Sequence, residues 1–155
     1  MQGDERVIEI LNEVITAELT AINQYFLHAK MCDDWGFTKL AEYTRNESID
    51  EMRHAESLID RVLYLEGHPN LQRLGTLDIG ENVEEQFRSD LALEYRAVER
   101  LQRGVALCTE VGDHTSRQLL DGILASEEEH IDWLEAQLTL IEQVGSQNYL
   151  ATQIA

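Results

Sequence analysis

An all-α fold is predicted: four long helices packed as an elongated antiparallel bundle, with a long crossover between the second and third and a short fifth helix at the end. Three observations predict it. Apolar residues recur at helical spacing through four runs of roughly 30 residues each. The only proline, Pro69, falls in a stretch between the second and third runs. No run alternates with the two-residue period of a strand.

The first helix is expected over about residues 4–33, with Ile8, Leu11, Ile15, Ala21, Ile22 and Phe26 on its apolar stripe and no internal glycine or proline. It breaks at Asp33-Asp34-Trp35-Gly36. A second helix over about 37–66 carries Leu40, Tyr43, Leu58, Val62 and Leu65 and stops at Gly67-His68-Pro69-Asn70. Residues 67–81 hold that proline and three glycines and are long enough to run back along a bundle. Asn82 before Val83-Glu84-Glu85 has the pattern of an N-cap with a carboxylate at the third helical position. It opens a third helix (83–111) through Phe87, Leu91, Val98, Leu101 and Val105. Asp113 caps a fourth (114–144), striped by Leu120, Ile123, Ile131, Leu134, Leu138 and Ile141, and Gly145 separates it from a short fifth helix near 147–153. A helix of roughly 30 residues is about 45 Å long. The 155 residues form one domain in this reading, large enough to bury a core without staples.

Thirty acidic residues against twelve basic ones give a formal charge of −18, a field that repels nucleic acid and anionic membrane and concentrates cations. Cys32 and Cys108 are too few for a disulfide framework or a thiolate zinc site and are expected to be reduced and buried. The N-terminus MQGDERVIEI lacks a basic region followed by an apolar one, and no apolar stretch reaches membrane-spanning length, so a cytoplasmic protein is expected.

The chemistry lies where the apolar stripes are interrupted. Glu18 sits between Leu11, Val14, Ile22 and Tyr25 on the first helix, and Glu94 between Phe87, Leu91, Val98 and Leu101 on the third. Glu47, Glu51 and His54 follow the core-facing path of the second helix, and Glu127 and His130 that of the fourth. Inward carboxylates cost several kcal/mol each unless a positive charge compensates them, and no inward lysine or arginine accompanies these. Two divalent cations would neutralise four carboxylates outright.

Spacing strengthens the inference. Glu51-x-x-His54 and Glu127-x-x-His130 each place a carboxylate and an imidazole one turn apart on one face. Glu18 precedes the first pair by 33 residues and Glu94 precedes the second by the same 33, so the whole set repeats at an offset of 76. Two helix hairpins related by an approximate twofold would each supply half a site. Four carboxylates and two imidazoles without thiolate suit iron or manganese better than structural zinc. Two ferrous ions held together could each give one electron to dioxygen or peroxide. His28, His68 and His114 have no glutamate three residues earlier and are read as surface or loop residues.

On these residues, and on the segments AINQYFLH and SIDEMRHA, nearly the entire chain resembles the bacterioferritins. The resemblance implies a ferritin-like four-helix bundle and a ferroxidase that stores ferric mineral in a shell of 24 subunits. It implies that Glu51 and Glu127 bridge two irons, with Glu18 and His54, and Glu94 and His130, as terminal ligands. It also implies a b-type haem shared between two subunits through Met52 of each, with Met31 a rival position. Tyr25, seven residues after Glu18 on the same face, resembles a family tyrosine that donates one electron, and Trp133 is a weaker candidate. Expected partners are Fe(II), O2 or H2O2, further copies in a homogeneous or mixed shell, and a ferredoxin that feeds electrons through haem for iron release. Many family members have histidine where this chain has Asn46, which puts in doubt an inner-surface iron site through Asn46, Glu47 and Asp50. Two other readings remain: a haem-bearing but catalytically idle subunit of a mixed shell, and a di-iron peroxide reductase resembling rubrerythrin. The latter family usually adds a cysteine-ligated iron domain, for which this chain lacks the cysteines.

Overall fold

The computed structural model describes residues 1–154, and among them five α-helices and no strand. They are α1 (Glu5–Asp34), α2 (Thr38–Tyr64), α3 (Val83–Val111), α4 (His114–Val144) and α5 (Ser146–Ala151). α1 pairs along its length with α2 and α3 with α4, while α1 against α3 and α2 against α4 close the bundle. The observed ends lie within two residues of those expected from the sequence. Among the described residues no helix is long and apolar enough to cross a membrane.

The ends are set by local chemistry. The Asp4 carboxylate accepts from Arg6 N–H at the start of α1, and Gly36 at φ +87° turns the chain into α2. Asn82 Oδ1 accepts from Glu85 N–H at 2.9 Å, while Glu85 Oε2 reaches back to Glu81 N–H at 2.9 Å. Gly112, left-handed at φ +78°, ends α3, and Asp113 then accepts from Ser116 N–H to begin α4. Arg61, near the end of α2, donates to Asp113 at 2.9 Å and to Ser116 Oγ at 2.8 Å, which fixes the start of α4 against α2.

The crossover has no secondary structure of its own, so its backbone groups need partners. Polar side chains along one face of α1 supply them. Asn12 donates to His68 O and accepts from Asn70 N–H, Thr20 accepts from Gly75 N–H at 3.0 Å, and Gln24 accepts from Asp78 N–H at 3.0 Å. Gly80 N–H donates to His28 Nε2 at 3.1 Å. That bond makes Nε2 an acceptor, so Nδ1 carries the proton and donates to Asp90 at 2.9 Å. His28 is therefore a buried strap residue and not the surface or loop residue expected from its sequence context. His68 and His114 are exposed. A second correction concerns Phe26, which is 54% exposed: it lies about 100° around the helix from the buried Tyr25, off the stripe.

Two large apolar clusters and a small one of Ala21, Tyr25 and Leu93 fill the bundle. Of the large ones, the first gathers Leu11, Val14, Ile15, Leu58, Val62, Leu101, Leu120 and Ile123, the second Leu40, Phe87, Leu134, Ile141 and Tyr149. Leu120 is fully buried, and its side chain fills the space left by Gly104 on the facing helix. Leu120→Ala is expected to cost about 2–5 kcal/mol, read as a lower urea midpoint of the metal-free protein.

Candidate metal centre

Helical phase brings the interrupted stripes to a common level inside the bundle. Glu18, Glu51, Glu94, Glu127 and His130 are buried at 3% exposure or less, and His54 is partly buried. One donor atom each from Glu18, Glu51, His54 and Glu127 falls within 4.8 Å of the others, a grouping able to hold a metal ion. His54 Nδ1 lies 3.3 Å from Glu127, 3.5 Å from Glu18 and 3.8 Å from Glu51. Glu94 and His130 adjoin this group on the other side of Glu127, with His130 Nδ1 3.1 Å from Glu94 Oε1. His54 thus adjoins Glu18, Glu51 and Glu127, His130 adjoins Glu94 and Glu47, and Glu127 is also the acid that acts on Glu94.

Glu47, expected on the core-facing path of α2 but not among the six expected ligands, joins the cluster. Its carboxylate is 3.5 Å from His130 Nδ1, whereas Asn46 is exposed and Asp50 is engaged with Arg53 at 3.0 Å. The signal was present in the sequence, since Glu47 lies one turn before Glu51 on the same path. Tyr25, fully buried, donates its hydroxyl proton to Glu94 Oε1 and packs edge-on against the His130 imidazole at 5.2 Å. Met52 points elsewhere and is 52% exposed. Trp133 stacks on Tyr43 at 3.6 Å, between the cluster and Phe87. Cys32 and Cys108 are buried and unpaired with each other.

The electrostatics are those of too many acids for the bases present. Burial pushes the Glu18, Glu127 and Glu47 carboxyls above the usual carboxylate range. Glu94 is driven well above it, by burial first and then by Glu127 beside it. Burial works against charge on His54, but Glu127 and Glu18 outweigh it and hold its pKa up at about 10. His130 is raised in the same way by Glu94 and Glu47. Burial and the neighbouring Glu94 raise the Tyr25 phenol, which stays neutral.

Hydrogen bonding leaves this site incomplete. Among the described residues the buried side-chain atoms without a hydrogen-bond partner are Glu18 Oε2, His54 Nδ1, Glu94 Oε2 and Glu127 Oε1, all four from this one cluster. Native interiors pair such atoms, so their concentration at one place calls for a further positive partner. Among the described residues no lysine or arginine forms an ion pair with any of the six, and Arg100 acts on Glu18 only weakly.

Comparison with known proteins agrees with this architecture. Residues 8–144 match the ferritin-like domain. The chain is 58% identical to a bacterioferritin of Mycobacterium leprae over 151 residues, covering 97% of this chain and 95% of that one. It is 57% identical to a bacterioferritin of Streptomyces coelicolor over 154 residues, covering 99% of this chain and 92% of the other. A bacterioferritin of Brucella melitensis shares 47% over 149 residues, 96% of this chain and 92% of its own. With the fold, the repeated E-x-x-H hairpins and relatives matched nearly end to end, the chain belongs to the bacterioferritin family of ferritin-like proteins.

Proposed function

We propose that this protein stores iron and that the buried cluster is its ferroxidase, binding two Fe(II) ions as substrate and passing their electrons to O2 or H2O2. The observation that carries the reading is the set of four unpaired buried donor atoms on Glu18, His54, Glu94 and Glu127. Carboxylate and imidazole donors without thiolate fit iron.

Glu18 with His54 holds one ion, Glu94 with His130 the other, and Glu51 and Glu127 bridge. The electron balance is simple. Two ferrous ions lose one electron each, and with two protons the pair converts dioxygen to hydrogen peroxide or hydrogen peroxide to two waters. The two protons come from solvent, since iron binding displaces those that His54 and the raised carboxyls hold in the metal-free site. Tyr25, already donating to Glu94, can give one electron when an odd oxidising equivalent remains, its proton passing to that carboxylate. Glu47 lies against the same His130 Nδ1 that faces Glu94 and adds a further carboxylate to that half of the cluster. With Asp50 tied to Arg53 and Asn46 neutral, no second iron site is assigned there, and ferric product leaves by the cluster itself.

Further copies complete the protein. Met52 and Leu63, eleven residues apart on α2, are exposed on one face, as expected if that face meets a second copy in a shell of 24. The Met52 thioether is free to serve a haem shared across that contact, which would supply reducing equivalents delivered by a ferredoxin. The buried unpaired cysteines suit the cytoplasm.

Rapid mixing of ferrous-loaded protein with O2 and with H2O2 tests the catalytic reading. Oxidation is expected to be fast in the wild type and lost in both Glu18→Ala and His130→Ala. Equal, slow oxidation in all three would leave iron storage without a ferroxidase role for this cluster.

A further inference from the structure

Three of the twelve basic residues, Arg96, Arg100 and Arg103, stand at i, i+4 and i+7 on one face of α3 in a chain of net charge −18. Like charges at that spacing repel and weaken a helix. Arg6, Arg53, Arg61, Arg88, Arg103 and Arg117 each pair with an acid. Arg96 and Arg100 have neither an ion pair nor a hydrogen bond among the described residues, although Arg100 is only partly exposed. Its burial and the charges of Arg103 and Arg96 act against its own charge, with Glu13 and, more weakly, the buried Glu18 opposing them.

The two arginines line a cleft of about 150 Å³ between α1, α3 and the crossover. Thr16, Thr20 and Thr76 line it as well. The Thr16 and Thr20 hydroxyls already donate to Asn12 O and Thr16 O, and Thr20 also accepts from Gly75 N–H. That last bond holds the neighbouring Thr76, exposed and without a hydroxyl partner among the described residues, in the lining of the cleft. Gly75 approaches so closely that a Cβ there would lie 2.6 Å from Thr20 Oγ1, so the crossover is seated tightly at this point. The one acid in the lining, Glu13, lies 3.8 Å from Arg103. The lining therefore carries two positive charges against one negative, with Arg103 and the buried Glu18 acting on Arg100 from beyond it, and it leaves two guanidinium forks and one hydroxyl unspent.

We propose that this cleft is a binding site for a tetrahedral oxyanion of the phosphate type, gripped by Arg96 and Arg100 and by the Thr76 hydroxyl. Planar guanidinium groups match two oxygens of such an anion at once, which a halide cannot offer. Binding would relieve the repulsion along α3 and tie the crossover to that helix.

The test uses the assembled, metal-free protein in phosphate-free, low-salt buffer, titrated calorimetrically with inorganic phosphate, sulfate, chloride and a simple phosphomonoester. Inorganic phosphate is expected to bind saturably at one per chain, at least about tenfold tighter than chloride, with sulfate competing. Tight binding of the ester as well would point to a phosphorylated small molecule as the natural ligand, and its exclusion to the free ion. Arg96→Gln and Arg100→Gln are each expected to weaken binding about tenfold or more, Thr76→Val to weaken it less, and Arg45→Gln, on α2, to leave it unchanged. Should Arg100→Gln disturb assembly, the exposed Arg96 decides the matter. Absence of saturable binding, equal affinity for chloride, or full binding in the Arg96→Gln variant would overturn the assignment.

Discussion

Glu127→Gln is expected to slow ferrous oxidation by at least about 100-fold while making the metal-free protein more stable than the wild type. The first effect follows from position. Glu127 is the carboxylate that touches both halves of the cluster, near His54 and near Glu94. Losing a mere outer partner of a metal ligand costs about 10–100-fold, and the loss of a shared ligand costs at least the upper figure. The second effect follows from charge. Four buried glutamates, with Glu47 beside them, face two imidazoles, so neutralising one acid removes repulsion and desolvation cost while His54 keeps Glu18 and Glu51 as neighbours. Rapid-mixing kinetics together with urea unfolding of the metal-free variant measure both. A variant both slower and less stable would mean that Glu127 is needed for packing more than for metal.

Addition of manganese(II) is expected to raise the melting temperature by about 5–10 °C at a hundredfold excess over Kd, and a chelator to reverse it. The pH dependence has opposite signs with and without metal. In the metal-free protein the folded pKa values of Glu18, Glu94, Glu127, His130 and His54 all lie above their ordinary values. The folded state therefore holds more protons than the unfolded one. The stability this contributes is full below the unfolded pKa values and is lost as pH rises through the folded ones, for His54 up to about 10. Metal displaces those protons, so its stabilising effect grows with pH. Thermal melts at several pH values, with and without manganese, show whether the two slopes diverge. Parallel slopes would count against displacement of protons by metal in this cluster.

The helices were legible because each carries both a period and punctuation: Asn82 and Asp113 act in the structure as their types suggested. The cluster was legible because its residues repeat at an offset of 76 and because carboxylates replaced leucine on otherwise apolar faces. His28 was not, since its partners are distant: Asp90 lies 62 residues away, and Gly80 offers a backbone N–H that no side-chain pattern announces. A usable signal did exist. Asn12, Thr20, Gln24 and His28 are spaced eight, four and four residues apart, a polar line along α1 that a long, irregular crossover requires. Phe26 was misplaced for a simpler reason: the first helix is apolar enough that several adjacent phases fit, and only packing against α2 and α3 selects among them. The arginines of α3 were visible as a row, but that two of them lack partners depends on where Glu13 and the crossover come to lie.

Glu18, Glu51, His54, Glu94, Glu127 and His130 are expected to bind a pair of irons together. An anaerobic ferrous titration of the metal-free protein, followed by absorbance or magnetic circular dichroism, tests it most directly. A sharp break near two irons per chain, abolished in the Glu18→Ala, His130→Ala double variant, is the predicted result. No saturable binding, or an unchanged break in the double variant, would contradict it.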